Sequence, residues 1–223
     1  MPLDPDHFPP VMALTMDGLA LSPADQARAL VAAGAGWVQL RMKNAAPDLW
    51  LATAREVVAI CHEGGALCTI NDNVEIALAS DADGVHLGKL DGDWIAARAR
   101  LGVEKILGGT VNDADDARRA AAAHVLDYVG IGPLRFTTTK QKLAPVLGLE
   151  GIAALLPLLD GLPAWAIGGV QPADLPALRR AHLAGVAVSS SLYLDNSVSA
   201  NHAAFVAAWS ASPVMNVPPS TSV

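Results

Sequence analysis

The sequence alternates, with little interruption, between short apolar segments and stretches of helical character. The apolar segments predict eight β-strands: Val11 to Met16, Trp37 to Arg41, a segment from about Thr69 into Asn71, Gly84 to Leu87, Lys105 to Gly108, Tyr128 to Gly132, Ala164 to Ile167 and Val186 to Ser189. Short apolar strands separated by helices are typical of a parallel sheet that is buried on both faces. Eight such units favour one closed (β/α)₈ TIM barrel of the α/β class. An open doubly wound sheet is the alternative.

The length of the chain fits a single catalytic domain. A chain of 223 residues with 52% hydrophobic content can bury one large core, and barrels of this kind often use such a length. We assign the barrel to residues 11–211. Residues 1–10 form an acidic, proline-rich N-terminal extension, and residues 212–223, which have no periodicity, are expected to be a disordered tail.

Charge and cysteine content narrow the function classes. The formal net charge of -7 disfavours binding to nucleic acid or to an anionic membrane by bulk charge. No run of about 18 apolar residues occurs, so a soluble protein is expected. Cys61 and Cys68 have neither the spacing of a metal site nor the density of a disulfide scaffold. A reducing cytoplasmic location therefore fits best.

Two aspartates follow neighbouring strands of the predicted barrel. Asp72 comes directly after the third strand, and Asp91 lies in the loop after the fourth. The carboxyl ends of parallel strands lie on one face, so these acids can share a ligand. The alternative is that each aspartate only caps the helix that follows it.

The cations of this acidic chain are concentrated in a few loops. Only five lysines occur. The loops after strands two, four and six carry the following cations: Arg41, Lys43, Lys89, Arg135, Lys140 and Lys142. Lysines prefer loops in any protein, but that preference does not explain why these share a face with Asp72 and Asp91. The pattern predicts a polyphosphate held by Lys and Arg, with Mg²⁺ between the phosphate and the acids.

The loops after strands seven and eight predict a second anion site. Gly168-Gly169 ends strand seven, and Ser189-Ser190-Ser191 ends strand eight. In TIM barrels these two loops often present backbone N–H groups to a phosphate. A Gly-Gly pair is also common in simple tight turns. Two anion sites imply two phosphorylated small-molecule substrates, or one substrate with two phosphate groups.

Several linked motifs resemble the motif series of the thiamine-phosphate synthase family. In order, they are Gln39-Leu-Arg-Met-Lys43, Ile70-Asn-Asp72, Asp83-Gly-Val-His-Leu-Gly88 with Asp91, Tyr128-Val-Gly-Ile-Gly-Pro133, Thr137-Thr-Thr-Lys140 and Ala166-Ile-Gly-Gly169. The resemblance covers about Val11 to Leu192. It implies a TIM-barrel transferase that joins a hydroxymethylpyrimidine diphosphate to a thiazole phosphate and releases diphosphate, with Mg²⁺ as cofactor.

The resemblance also assigns roles to individual residues. The residues implied to bind the pyrimidine diphosphate are Gln39, Arg41, Lys43, Asn71, Thr110 and Lys140. Among these, Arg41, Lys43, Thr110 and Lys140 are the implied catalytic residues, and Asp72 and Asp91 are the implied metal ligands. The residues implied to bind the thiazole phosphate are Thr137, Thr139, Gly169, Ser189 and Ser190. The implied chemistry is dissociative, so that no side-chain nucleophile is needed.

The chain departs from the family pattern at several positions. Met42 replaces the usual glutamate, Lys89 stands where glutamine is usual, and Thr110 replaces a serine. The segment from Gly109 to Asn112 resembles a loose version of the family's glycine-serine turn. These departures leave open a diverged paralogue with lower activity or a different thiazole partner.

His86 and the tryptophans have packing explanations. An isolated histidine in a strand is more often a packed residue with a satisfied hydrogen bond than a catalytic one. Five tryptophans, spread one per unit, are expected to pack between the barrel and its helices.

Three functions remain open at this stage: the synthase, a thiazole tautomerase on the same fold, and a non-catalytic sensor of phosphate ligands. A tautomerase needs no diphosphate clamp, and a sensor needs no metal. The sequence does not set the oligomeric state.

Overall fold

The structure, a computed structural model, describes residues 8–43, 45–136 and 144–212. Eight parallel strands form a closed barrel in which each strand lies beside its neighbour in sequence, and the eighth pairs with the first. The predicted closed barrel is confirmed, and the open sheet is wrong. Because closure places the carboxyl ends of all eight strands at one mouth, the predicted site residues that the structure describes lie at a single surface.

The strands and helices alternate regularly. The strands are β1 Val11–Leu14, β2 Trp37–Leu40, β3 Leu67–Asn71, β4 Gly84–Leu87, β5 Ile106–Val111, β6 Tyr128–Ile131, β7 Ala164–Ile167 and β8 Gly185–Val188. The helices are α1 Pro23–Ala32, α2 Pro47–Glu63, α3 Val74–Ala79, α4 Trp94–Leu101, α5 Ala114–Ala123, α6 Gly148–Leu155, α7 Leu175–Arg180 and α8 Val198–Ser210. Ser22 caps α1 by accepting a hydrogen bond from the Asp25 N–H, as its position before Pro23 predicts.

The largest difference from the predicted elements is in β5. The prediction ended this strand at Gly108, but the strand continues to Val111 and pairs with β6 along this whole length. Thr110 is therefore a strand residue opposite Gly130, and not part of a turn. Gly108 and Gly109 make this segment look less like a strand, because glycine is depleted in strands. The pairing with β6 that stabilises this part of β5 is a tertiary interaction, which a local sequence pattern does not show.

The barrel interior contains an aromatic cluster at the amino-terminal ends of the strands. Trp37, Tyr128 and Trp165 are fully buried, with ring centroids 5.0 to 5.5 Å apart and rings close to perpendicular. The expectation that the tryptophans pack between barrel and helices is wrong for Trp37 and Trp165. Alternation along the strand explains this, because Trp37 shares the inward face of β2 with Gln39.

Two glycines make room for these rings. A Cβ on Gly108 would lie 2.2 Å from Cζ of Tyr128, and a Cβ on Gly185 would lie 2.2 Å from Nε1 of Trp165. Because Gly108 on β5 and Gly185 on β8 have no side chains, two large rings can lie across the interior.

Phe8 covers the amino-terminal end of the barrel. Its ring lies 5.2 Å from that of Trp37 and 6.1 Å from that of Trp165, and the side chain is buried. The backbone that follows is fixed to the barrel, since the Pro10 carbonyl accepts a hydrogen bond from Val186 N–H at 2.7 Å. The end of the predicted N-terminal extension therefore contributes to the core.

The helices form the outer layer, and their apolar faces cover the outward-facing residues of the strands. Within the described residues, no helix is both long and apolar enough to cross a membrane.

We predict that Phe8→Ala lowers the free energy of unfolding by about 3 kcal/mol, because it removes a buried ring and leaves a cavity beside three others. The matched control is Phe136→Ala, since Phe136 is 71% exposed and its truncation is expected to change stability by less than about 0.5 kcal/mol. Urea denaturation followed by tryptophan fluorescence measures both. Equal effects in the two variants would contradict the role given to Phe8.

Candidate active site

The floor of the barrel mouth is polar on one side. Gln39, Asn71, His86 and Thr110 come from β2, β3, β4 and β5, one from each strand, and face inward above the aromatic cluster. Gln39, Asn71 and Thr110 are buried. On the next strand the corresponding position is Gly130, which adds no side chain. The mouth thus has hydrogen-bonding side chains on β2 to β5 and none at the corresponding position of β6.

His86 has hydrogen-bond partners on both ring nitrogens. Its Nδ1 lies 3.0 Å from the Tyr128 hydroxyl, and its Nε2 lies 3.0 Å from Oγ1 of Thr110. The expectation of a satisfied hydrogen bond is confirmed. One of its partners, however, is a predicted catalytic residue, which the sequence did not indicate.

The two predicted metal ligands, Asp72 and Asp91, are neighbours. Asp72 has a φ of 70° and donates its N–H to the His86 carbonyl at 2.8 Å. Asp91 Oδ2 accepts the Gly88 N–H at 2.9 Å. Burial, and then the adjacent Asp72 carboxylate, raise the pKa of Asp91. Such a pair of close acids favours a cation between them.

Lys43 forms an ion pair with Asp72. The loop that carries it is fixed to the end of β1 by two residues that the sequence reasoning missed. Thr15 Oγ1 accepts the Arg41 N–H at 2.9 Å, and Asp17 Oδ2 accepts the Lys43 N–H at 3.0 Å. A polar residue at the end of an apolar strand was the available signal for Thr15.

Lys89 is held by two carboxylates at the rim. Its Nζ lies 2.9 Å from Asp113 Oδ2 and 2.5 Å from Asp116 Oδ2. Burial lowers its pKa, but the hydrogen bonds to Asp116 and Asp113 outweigh this effect and raise it. Asp116 is almost fully buried and also accepts the Asn112 N–H at 2.9 Å. The sequence reasoning counted Lys89 among the anion-binding cations, whereas the structure pairs it with acids that fasten the β4 loop to α5.

Arg135 similarly links the loop after β6 to the loop after β7. Its guanidinium contacts both carboxylate oxygens of Asp174 at 2.5 Å and donates to the Gly169 carbonyl at 3.2 Å. Asp174 raises the pKa of Arg135. The backbone N–H of Arg135 donates to the Gly168 carbonyl at 2.9 Å. Arg135 thus holds the chain just before residues 137–143 next to the Gly168-Gly169 turn.

The Gly168-Gly169 turn, one of the two predicted phosphate loops, packs closely against the loop after β6. Gly168 and Gly169 have φ values of 93° and 69°, which favour glycine. A Cβ on Gly169 would approach Cβ of Arg135 to 3.0 Å. On the adjacent strand β8, Ser189 precedes a 3₁₀ segment that begins at Ser190, and the Ser189 hydroxyl oxygen is buried without a hydrogen-bond partner among the described residues.

Part of the predicted site lies outside the described residues. Thr137, Thr139, Lys140 and Lys142 all fall within 137–143. Their assignments remain predictions.

Comparisons with known proteins agree on one family. Residues 11–192 match the family model described as thiamine monophosphate synthase. Thiamine-phosphate synthase of Bacteroides fragilis is 41% identical over 75% of this chain and 84% of its own length. The Myxococcus xanthus protein of the same name is 46% identical over 78% of this chain and 80% of its own.

Solved structures of similar fold include proteins with a related description. Thiamine phosphate pyrophosphorylase from Pyrococcus furiosus superposes with a TM-score of 0.80 at 26% identity, over 90% of this chain and 95% of that one. The protein of that name from Bacteroides thetaiotaomicron, at 13% identity and a TM-score of 0.64 over 89% of this chain and 96% of that one, shares the fold.

Proposed function

The chain belongs to the thiamine monophosphate synthase family, and from this premise we propose how its residues form thiamine phosphate. The enzyme is a transferase that joins 4-amino-2-methyl-5-hydroxymethylpyrimidine diphosphate to 4-methyl-5-(2-hydroxyethyl)thiazole phosphate and releases diphosphate. The observation that carries the proposal is the arrangement of the mouth. A pair of acids with Lys43 lies at the ends of β2 to β4, and two turns suited to a phosphate follow β7 and β8.

The diphosphate end of the first substrate is assigned to the β2, β3 and β4 loops. Lys43 already pairs with an acid there, so a bound diphosphate would share its ammonium group. Arg41 and Lys140 are the further cations in this assignment. Together they would stabilise the charge that develops as the diphosphate departs, which is where fixed cations contribute most to the rate.

Asp72 and Asp91 fit a magnesium site that is completed by the substrate. Among the described residues there is no group of three or more His, Cys, Asp or Glu side chains that could hold a metal. Mg²⁺ is usually bound by one or two carboxylates plus substrate phosphate oxygens, so two adjacent aspartates suffice. When bound, Mg²⁺ supplies positive charge to the leaving diphosphate.

The pyrimidine ring is assigned to the polar floor. Gln39, Asn71 and Thr110 provide hydrogen-bonding groups from three strands. Side chains on strands hold their positions better than side chains on loops, which favours a defined orientation of the ring.

The thiazole phosphate is assigned to the opposite side of the mouth. Gly169 lets backbone approach the phosphate, and Ser190 begins a helical segment whose first N–H groups have no partner within that segment. The unpartnered Ser189 hydroxyl supports this assignment, because a buried polar atom without a partner is costly unless a ligand satisfies it. Thr137 and Thr139 complete the assignment.

The reaction depends on the alignment of the two bound substrates. The bond between the pyrimidine methylene carbon and the diphosphate oxygen breaks, and the electron pair leaves with the diphosphate. The lone pair of the thiazole nitrogen forms the new carbon–nitrogen bond to the cationic methylene. The chain supplies no nucleophile, and its contribution is to hold two reactants in contact and to stabilise the leaving group.

The proposal includes the compartment and the partners. The two cysteines, Cys61 and Cys68, are free and buried, which fits a reducing cytoplasm. The net charge of -7 supports small-molecule substrates, with neither nucleic acid nor membrane as a partner.

We predict that the purified protein with Mg²⁺ and both substrates yields thiamine phosphate and diphosphate in equal amounts, and no product when either substrate is omitted. Chromatography of the products measures this. The control is thiazole carboxylate phosphate incubated alone. Tautomer exchange there, without coupling activity, would replace the synthase with a tautomerase, and tight binding without either reaction would indicate a sensor.

We predict that Asp72→Asn and Asp91→Asn each raise the Mg²⁺ concentration needed for half-maximal rate by at least about tenfold. Loss of a group that only supports a metal ligand already lowers metal affinity about tenfold, so loss of a direct ligand is expected to lower it at least as much. Asparagine tolerates the positive φ of Asp72, so the fold is expected to be retained. Asp93→Asn is the matched control, because Asp93 caps α4 and asparagine caps equally well. An unchanged Mg²⁺ requirement in both aspartate variants would remove these residues from the metal site.

We predict that Ser189→Ala raises the KM for thiazole phosphate about tenfold, as expected for one hydrogen bond to a charged group, without lowering thermal stability. The paired variant is Ser191→Ala, since the Ser191 hydroxyl donates to the Val170 carbonyl at 3.1 Å. That variant is expected to lose about 1 kcal/mol of stability and to keep its KM. The opposite pattern in the two serines would refute the assignment of Ser189.

A further inference from the structure

A chain of hydrogen bonds crosses the barrel interior beneath the mouth. It runs from Tyr128 on β6 to His86 on β4 and from there to Thr110 on β5, with both distances at 3.0 Å. The rings of Tyr128 and His86 lie 5.5 Å apart at an angle of 37°. Three strands are thus linked by side chains.

The proton positions along this chain follow from the chemistry of its members. Tyr128 is completely buried, and burial raises the pKa of its phenol, so the phenol keeps its proton. The nearby Gln39 side chain has a smaller effect in the opposite direction and lowers this pKa. The O–H of Tyr128 then has Nδ1 of His86 as its acceptor.

The second ring nitrogen of His86 takes the opposite role. A neutral imidazole has one donor and one acceptor nitrogen. If Nδ1 accepts from Tyr128, the proton is on Nε2, which donates to Oγ1 of Thr110. The partner of one nitrogen commonly sets the tautomer of a functional histidine in this way.

Thr110 is left with a hydroxyl proton to donate. Within the described part of the chain, Oγ1 of Thr110 has no hydrogen-bond partner besides His86. Gly130 lies opposite Thr110 on the next strand, and a Cβ there would come within 3.1 Å of Cε1 of His86. The missing side chain at Gly130 leaves room for the imidazole next to Thr110. A ligand group that meets the Thr110 hydroxyl proton is therefore required to be a hydrogen-bond acceptor.

We propose that His86 is a positioning residue that, held by Tyr128, fixes the Thr110 hydroxyl as a hydrogen-bond donor toward an acceptor atom of the pyrimidine diphosphate. The inference rests on the proposed function for the identity of the substrate. His86 touches neither substrate in this arrangement, and its effect on turnover passes through Thr110.

A double-mutant cycle tests the coupling. Tyr128→Phe keeps the ring and removes the hydroxyl, and Thr110→Val keeps the shape and removes the donor. Each is expected to lower kcat/KM for pyrimidine diphosphate about tenfold and to leave the KM for thiazole phosphate unchanged. The double variant is expected to be no worse than Thr110→Val alone, because Tyr128 then has nothing to act through. An additive loss of about a hundredfold would overturn the proposal.

Two further variants separate the network from a general effect on the barrel. Thr110→Ser retains the hydroxyl and is expected to have a kcat/KM within about threefold of that of the wild-type protein. Thr69→Val is the matched control, since Thr69 Oγ1 accepts from Trp37 Nε1 at 3.1 Å in the same interior but outside this chain of bonds. It is expected to leave both KM values unchanged. A loss in Thr69→Val equal to that in Thr110→Val would also overturn the proposal.

The tautomer is read directly by ¹⁵N NMR of the histidine side chains in the unchanged protein. The expected spectrum gives His86 a protonated Nε2 and an unprotonated Nδ1, and Tyr128→Phe is expected to mix the two tautomers. A protonated Nδ1 in the unchanged protein would refute the proposed direction. This measurement needs no turnover, so it stays decisive if the coupling reaction itself is absent.

Discussion

Closure of the parallel barrel is the constraint on which the rest of the structure depends. It forces inward-facing residues at alternate positions into one interior, and it brings all the strand ends to one mouth. The first inward layer is filled by the rings of Trp37, Tyr128 and Trp165, with Phe8 beneath them. Because that layer is solid, the next layer can be polar without exposing the core to water. The active site is therefore built on top of a packed hydrophobic support.

Three cations at the described part of the mouth are paired with acids of the same chain. Lys43, Lys89 and Arg135 each contact at least one aspartate, so the mouth is not simply a cluster of unpaired cations. The three pairs differ in what they can do. Those of Lys89 and Arg135 fasten one loop to the next, whereas the pair of Lys43 includes a proposed metal ligand and can be rearranged by substrate. Ion pairs of the first kind hold the loops in place before any ligand arrives, which reduces the ordering that binding would otherwise require.

The sequence predicted the barrel and most strand positions because these depend on local periodicity. It also placed Asp72 and Asp91 near each other, since the ends of adjacent parallel strands must meet. It wrongly placed Thr110 in a turn, and it wrongly placed Trp37 and Trp165 between the barrel and the helices. In each case the outcome depends on a partner strand, such as β6 for Thr110, whose register a local pattern does not contain. The Lys89–Asp116 pair was missed for the same reason, because its members are 27 positions apart and only the fold joins them.

Glycine explains how one interior layer can be both a hydrogen-bond network and a binding site. At Gly108 the missing side chain admits the Tyr128 ring, which carries its hydroxyl to His86. At Gly130 the missing side chain leaves space beside the same histidine. A larger residue at the first position would displace the tyrosine, and one at the second would press on the imidazole. The positions of Tyr128 and His86 therefore both depend on glycines of β5 and β6, and a change in the packing of either strand would alter the hydrogen bonds that reach Thr110.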